Sequence, residues 1–104
     1  MRAWKILSPN KKSFVLEDLQ YSTKKSTKPR RGWGPLCCFK TRKEAQDFVY
    51  SNFGCTPYIL WRVEIVKSRK MRAWNPYHRQ VLRKDLPDGT ILADEVRFVR
   101  EIVL

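Results

Sequence analysis

The spacing of apolar residues after position 41 predicts one amphipathic helix. Three apolar side chains recur three and four positions apart and therefore share one helical face: Ala45, Phe48 and Val49. Thr41 and Glu44 form a capping-box pattern, in which the threonine hydroxyl accepts from the amide of the glutamate. Gly54 suits the left-handed conformation that often ends a helix. We therefore predict a helix from about Arg42 to Phe53.

Apolar segments on both sides of this helix predict strands. Residues 58–67 alternate between two faces, as a strand does. Further strands are expected over residues 3–7, 13–21, 35–39, 80–83 and 91–104, with a turn at residues 87–90 that contains proline and glycine. The first two strands are expected to form a hairpin. The pattern predicts a single α+β domain over residues 1–104, with one amphipathic helix packed on a mostly antiparallel sheet of five or six strands.

Composition indicates a folded protein outside the membrane. The 104 residues are 42% hydrophobic and include four Trp, five Phe and four Tyr, too many for a disordered chain. We expect no membrane partner, because no apolar run approaches the roughly 18 residues that a membrane span needs, and a cytoplasmic location, because the amino terminus lacks a signal-peptide pattern. Three cysteines, Cys37, Cys38 and Cys55, are expected to be reduced and buried, since their number is odd and two of them are adjacent.

The net charge of +12 changes this picture, because it is concentrated in the first part of the chain. Residues 1–43 contain 12 Lys and Arg against two acids, whereas residues 44–104 contain 10 against eight. Such an excess favours association with a polyanion.

Two segments without any acid carry most of the predicted binding chemistry. The first basic segment, residues 24–33, contributes Lys24, Lys25, Lys28, Arg30, Arg31 and Trp33. The second basic segment, residues 67–84, contributes Lys70, Arg72, Trp74, Tyr77 and Arg79. Cations neutralise phosphates and aromatic rings stack on unpaired bases, so this combination predicts a nucleic-acid site. The alternative is a solvated loop whose Trp33 packs back on the core.

Catalytic chemistry is weakly represented. His78 is the only histidine, and no glycine-rich phosphate loop, nucleophile elbow or His-Glu metal pattern is present. A nucleophilic pair of His78 with Cys37 or Cys55 is an alternative, although free cysteines are more often small buried hydrophobic residues. The cysteine spacing does not suit a zinc site. We expect no catalytic residue, metal or cofactor.

Several segments resemble those of small prokaryotic and phage proteins of unknown function. The similar parts are residues 34–41, where a short strand ends in Phe-x-Thr, the Glu44-Ala45 pair with Phe48, and the closing residues 86–90 and 93–96. This resemblance implies a short strand, a helix and a long strand in that order. It also suggests a second function, a protein-interaction module of phage or mobile-element origin that docks on an acidic partner.

The same order of strand, threonine-capped helix and strand resembles compact ADP-ribosyltransferase-like domains. That family implies an initial Arg or His, a Ser-Thr-Ser-type strand and a late Glu-x-Glu or Gln-x-Glu. Arg2 and residues 21–23 are loose matches, and the chain contains neither acidic motif. The resemblance therefore implies a divergent or inactive domain of that kind as a third alternative.

Overall fold

The computed structural model describes residues 1–9, 24–29, 31–54, 57–74 and 80–102. These residues form six strands, one α-helix and one short 3-10 helix, in the order β1 (Arg2–Leu7), β2 (Leu36–Phe39), α1 (Arg42–Phe53), β3 (Ile59–Lys67), β4 (Arg72–Trp74), β5 (Gln80–Leu82), the 3-10 helix (Arg83–Asp85) and β6 (Thr90–Ile102). The predicted α+β class is confirmed. The strand predicted over residues 13–21, and with it the first hairpin, lies outside the described residues.

Four strands close into an antiparallel barrel in the order β1, β2, β6 and β3, with β3 returning to β1. The 13-residue β6 is long because it serves two neighbours. Its first residues pair with β2, from Phe39 opposite Thr90 to Leu36 opposite Ala93, and the rest pairs with β3 as far as Ile102. Closure pairs the strand edges that an open sheet would leave exposed.

The two faces of the barrel strands pack against different parts of the protein. Side chains inside the barrel form one core: Ala3, Leu7, Leu36, Cys38, Val63, Ile65, Ile91, Ala93, Val96 and Phe98. On the outside, Ala45 and Val49 of α1 pack against Ile6, Phe39 and Leu60. The helix begins as predicted, with the Thr41 hydroxyl accepting a hydrogen bond of 3.1 Å from the Glu44 amide. No helix among the described residues has the length and apolar character to cross a bilayer.

Strands β4 and β5 form a separate two-stranded hairpin against the barrel. Ala73 of this hairpin is fully buried beside Cys37 and Leu92, which joins the hairpin to the outer face of β2 and β6. Strand β4 is absent from the sequence prediction, because three residues are too few for alternation to be recognised. Cys37 and Cys38 are free and buried, as predicted, whereas Cys55 lies outside the described residues.

Lys5 is buried within the barrel despite its charge. Lys5 lies on the same face of β1 as Ala3 and Leu7, which belong to the interior core. Only 2% of its surface is exposed. The Lys5 ammonium donates a hydrogen bond to the backbone carbonyl of Cys37 on β2. Burial lowers the pKa of Lys5, while the nearby thiols of Cys38 and Cys37 act in the opposite direction. The amine therefore links β1 to β2 inside the barrel.

Candidate nucleic-acid interface

The two basic segments meet the barrel at the same position of β6. Leu36, which begins β2 shortly after the first basic segment, pairs with Ala93 on one side. Lys67, which begins the second basic segment, pairs with Ala93 on the other side. The Ser68 amide continues this contact by donating to the carbonyl of Leu92 at 2.8 Å. Two segments more than 30 residues apart in the chain thus leave the barrel beside each other.

A direct contact joins the end of the first basic segment to strand β4. The amide of Gly34, the residue after Trp33, donates a hydrogen bond of 2.8 Å to the carbonyl of Trp74. Gly34 is buried, and a β-carbon built on it lies 2.5 Å from Cδ2 and Cε3 of the Trp74 ring. Only glycine allows the indole to approach the backbone this closely. Consecutive Cα atoms are about 3.8 Å apart, so Trp33 is also held near β4.

A second contact fixes the beginning of the first basic segment. Thr27 and Val96 exchange two backbone hydrogen bonds, each 2.8 Å long, on the β2 side of β6. The described residues of this segment form no strand, and Thr27 together with Gly34, the residue that follows the segment, attaches it to β6 and β4. Its described lysines, Lys24, Lys25 and Lys28, are exposed.

Trp74 is the centre of a cluster of cations on the second basic segment. The Lys70 Nζ lies 5.2 Å from the centroid of the half-buried Trp74 ring, and the Arg72 Cζ lies 5.5 Å from it. Both distances are within the range of a cation–π interaction. Arg72 also donates from Nη1 to Oε1 of Gln80 on β5 at 3.0 Å. The ring and the neighbouring strand therefore hold both cations at the surface.

Beside this cluster is the hairpin groove, a cavity of about 270 Å³ lined by Lys70, Met71, Arg72, Trp74 and Leu82. Met71 is 60% exposed and Leu82 is 46% exposed, so the groove presents two exposed apolar side chains in one place. Met71 and Leu82 are not among the site residues predicted from the sequence. They come together only because Arg72 and Leu82 are opposite each other in the β4–β5 hairpin, a strand pairing that the sequence analysis did not foresee.

The predicted site residues differ in how they are placed. Six cations are exposed: Lys24, Lys25, Lys28, Arg31, Lys70 and Arg72. Trp33 and Trp74 are half-buried. Arg30, Tyr77 and Arg79 lie outside the described residues. The contact at Gly34 joins the backbone next to Trp33 to Trp74, and the Trp74 ring is in turn contacted by Lys70 and Arg72.

Carboxylates approach a different part of the first basic segment. Glu64 and Glu95 line a cavity of about 150 Å³ together with Ser26 and Arg97. Glu64 also pairs with the amino-terminal ammonium group of Met1 at 3.3 Å. The local positive charge is therefore reduced near Ser26. These carboxylates lie away from the other end of the segment, where Gly34 contacts β4.

The remaining candidate chemistry is sparse in the described parts of the chain. Glu44, Asp47 and Asp88 line a cavity of about 340 Å³ between α1 and the turn before β6. No group of three His, Cys, Asp or Glu side chains among the described residues is arranged to hold a metal ion. Of the residues that carry the resemblance to ADP-ribosyltransferase-like domains, Arg2 begins β1 and is exposed, whereas residues 21–23 lie outside the described ranges.

The burial of the two described cysteines argues against a nucleophilic role for them. Burial raises the pKa of the Cys38 thiol to about 12, and it also raises the pKa of the Cys37 thiol, although Lys5 acts in the opposite direction on both. The reactive form of cysteine is the thiolate, so neither group is activated. His78, the other member of the pair considered from the sequence, lies outside the described residues.

Comparison with known protein families, with curated proteins and with solved structures finds no match to this chain.

Proposed function

We propose that this protein binds nucleic acid, and that it holds the phosphate backbone where the end of the first basic segment meets strand β4 of the second. The observation that carries the proposal is the hydrogen bond from the Gly34 amide to the Trp74 carbonyl. This contact joins the chain immediately after Trp33 to Trp74, and Arg31 lies three residues before Gly34 in the sequence. Cations from separate parts of the chain then contribute to one surface.

Counterion release would provide much of the free energy of such binding. Each phosphate that Lys or Arg neutralises frees a condensed cation into solution, and this favours binding at low salt. The described cations of the surface are exposed, and the chain has an excess of 12 positive charges to attract a polyanion. Contacts of this kind recognise the backbone rather than base edges, so we expect weak sequence specificity.

The salt dependence of binding tests the proposal. A fluorescently labelled DNA duplex is titrated with the protein at several KCl concentrations. If five to seven phosphates are engaged, the slope of log K against log [KCl] is about −4.5 to −6.3, because each contact contributes about −0.9. A slope near zero contradicts the proposal.

Charge-neutralising variants test where on the protein the phosphates bind. Replacing Arg31, Lys70 and Arg72 together by Gln removes three contacts, so the slope should become less steep by about 2.7. The matched control replaces Lys40, which follows β2, and Arg42, which begins α1, by Gln; both are exposed cations outside the two basic segments. If the control changes the slope as much per charge as the first variant does, phosphate binding is not located at the joined segments.

An acidic protein is the competing partner for the same surface. It is distinguished by recovering bound material from cell extract with and without nuclease treatment. Material that is released by nuclease supports nucleic-acid binding, whereas a protein that remains bound after digestion indicates the protein-interaction alternative.

A further inference from the structure

The hairpin groove contains more than phosphate binding requires. Lys70 and Arg72 are sufficient to attract a phosphate, yet the groove also presents the exposed side chains of Met71 and Leu82 beside Trp74. Burying such apolar surface is favourable, and phosphate oxygens do not use it. The groove therefore suits a ligand with both an anionic part and an apolar, flat part.

The arrangement of charge around the ring narrows the choice of ligand. Both cations lie within 5.5 Å of the Trp74 centroid, so an anion that they bind is held beside the indole face. A nucleotide fits this arrangement because its phosphate is linked to a planar base that can stack on tryptophan. Within a duplex the bases are already stacked and paired, and their faces are not free to enter the groove.

We infer that the hairpin groove holds the base of an unpaired nucleotide, so that the protein prefers single-stranded nucleic acid to duplex. This inference rests on the function proposed above. On binding, the base takes the place of Lys70 and Arg72 over the indole, and the two cations turn to the adjacent phosphates. The cation–π contacts that are lost are thereby replaced by stacking and by charge neutralisation.

A strand without bases isolates the contribution of the groove. Binding is measured for oligothymidylate of about 12 nucleotides, within the usual range of site sizes, and for an abasic strand with the same number of phosphates. One stacked base should make the thymidylate bind about fivefold to 150-fold more tightly. Both strands should show a steep salt dependence. An oligouridylate of the same length compares RNA with DNA. If either base-bearing strand binds more tightly than the abasic strand, the inference is supported.

Groove variants connect this preference to named side chains. Leu82→Ser should weaken thymidylate binding by about threefold to tenfold, since part of a leucine contact is lost, and should leave abasic binding unchanged. Val99→Ser is the matched control, because Val99 is an apolar residue of β6 that is 39% exposed and lies outside the groove. Trp74→Leu should remove most of the difference between the two strands. If that variant does not fold, Leu82→Ser still decides the question.

The outcomes separate this inference from the proposed function. Equal affinity for the base-bearing and abasic strands, with a steep salt slope for both, overturns the unpaired-base site and leaves backbone binding intact. Tighter binding to a duplex than to thymidylate also overturns it. Binding that does not respond to salt on any of these strands contradicts both proposals.

Discussion

The contact between Gly34 and Trp74 can be tested by adding a single methyl group. In Gly34→Ala, the new β-carbon would lie 2.5 Å from two atoms of the indole ring and 2.8 Å from the backbone nitrogen of Trp74. Carbon atoms in contact are normally about 3.5 to 4.0 Å apart, so the ring must move by about 1 Å. The backbone nitrogen cannot move without displacing β4. The substitution should therefore separate the two basic segments.

The size of the effect follows from the packing that is lost. Forcing an extra methyl group into a packed site costs about 1 to 3 kcal/mol, and weakening the hydrogen bond between Gly34 and Trp74 adds about 1 kcal/mol. The free energy of unfolding should fall by about 2 to 4 kcal/mol. Domains of this size are stable by about 5 to 15 kcal/mol, so the variant should still fold. Its melting temperature should fall by about 10 °C or more.

Thermal unfolding followed by circular dichroism measures this loss, and the KCl titration measures its effect on DNA binding. Gly34→Ala should show a lower affinity and a less steep salt slope. Gly54→Ala is the matched control. Gly54 has a φ of 58°, and among the described residues nothing beyond its chain neighbours and its own helix backbone comes within 4 Å of an added β-carbon. The change therefore costs about 1 to 2 kcal/mol of backbone strain. The control should melt earlier but bind DNA normally. A Gly34→Ala protein that melts and binds like wild type would refute this reasoning.

Three further predictions concern the barrel and the helix. Burial lowers the pKa of Lys5 below 10.5, so the unfolded chain holds more protons between the folded and unfolded pKa values. The free energy of unfolding of wild type relative to Lys5→Met should therefore rise as pH approaches 10.5 from below. Urea unfolding of both proteins at several pH values measures this difference. A difference that does not change with pH contradicts the prediction. Cys37 and Cys38 should resist alkylation by iodoacetamide in the folded protein and react in urea, because both thiols are buried. Peptide mass spectrometry measures the alkylation. Rapid alkylation of the native protein argues against their burial. Thr41→Ala should lower the free energy of unfolding by about 1 kcal/mol, because the Glu44 amide loses its hydrogen-bond partner. Thr41→Ser keeps a hydroxyl and should retain most of the capping stability. An equal loss of stability in both variants speaks against capping.

The helix and the long strands could be predicted because their signals are local. Thr41 and Glu44 are three residues apart and define the start of α1 without any distant contact. The alternation in residues 59–67 likewise follows from the two faces of a strand. The exposed cations of both basic segments could also be selected, since charge and the absence of acids are properties of the sequence.

Features that depend on pairing between distant strands could not be predicted in this way. Lys5 in a strand would ordinarily be placed on the solvent face, and only the closure of the barrel puts it inside. Strand β4 is three residues long, and its pairing with β5 is what creates the groove between Met71 and Leu82. Neither the barrel nor this groove has a short-range sequence signal.

Local signals in the chain were enough to predict the fold class, the bounds of the helix and the excess of positive charge, because capping and periodicity act over a few residues and charge is a matter of composition. The meeting of the two basic segments depends instead on contacts between distant residues. Leu36 and Lys67 both pair with Ala93, and Gly34 lets the Trp74 ring approach its backbone. Such contacts join residues 26 or more positions apart, and strand register and close packing determine them.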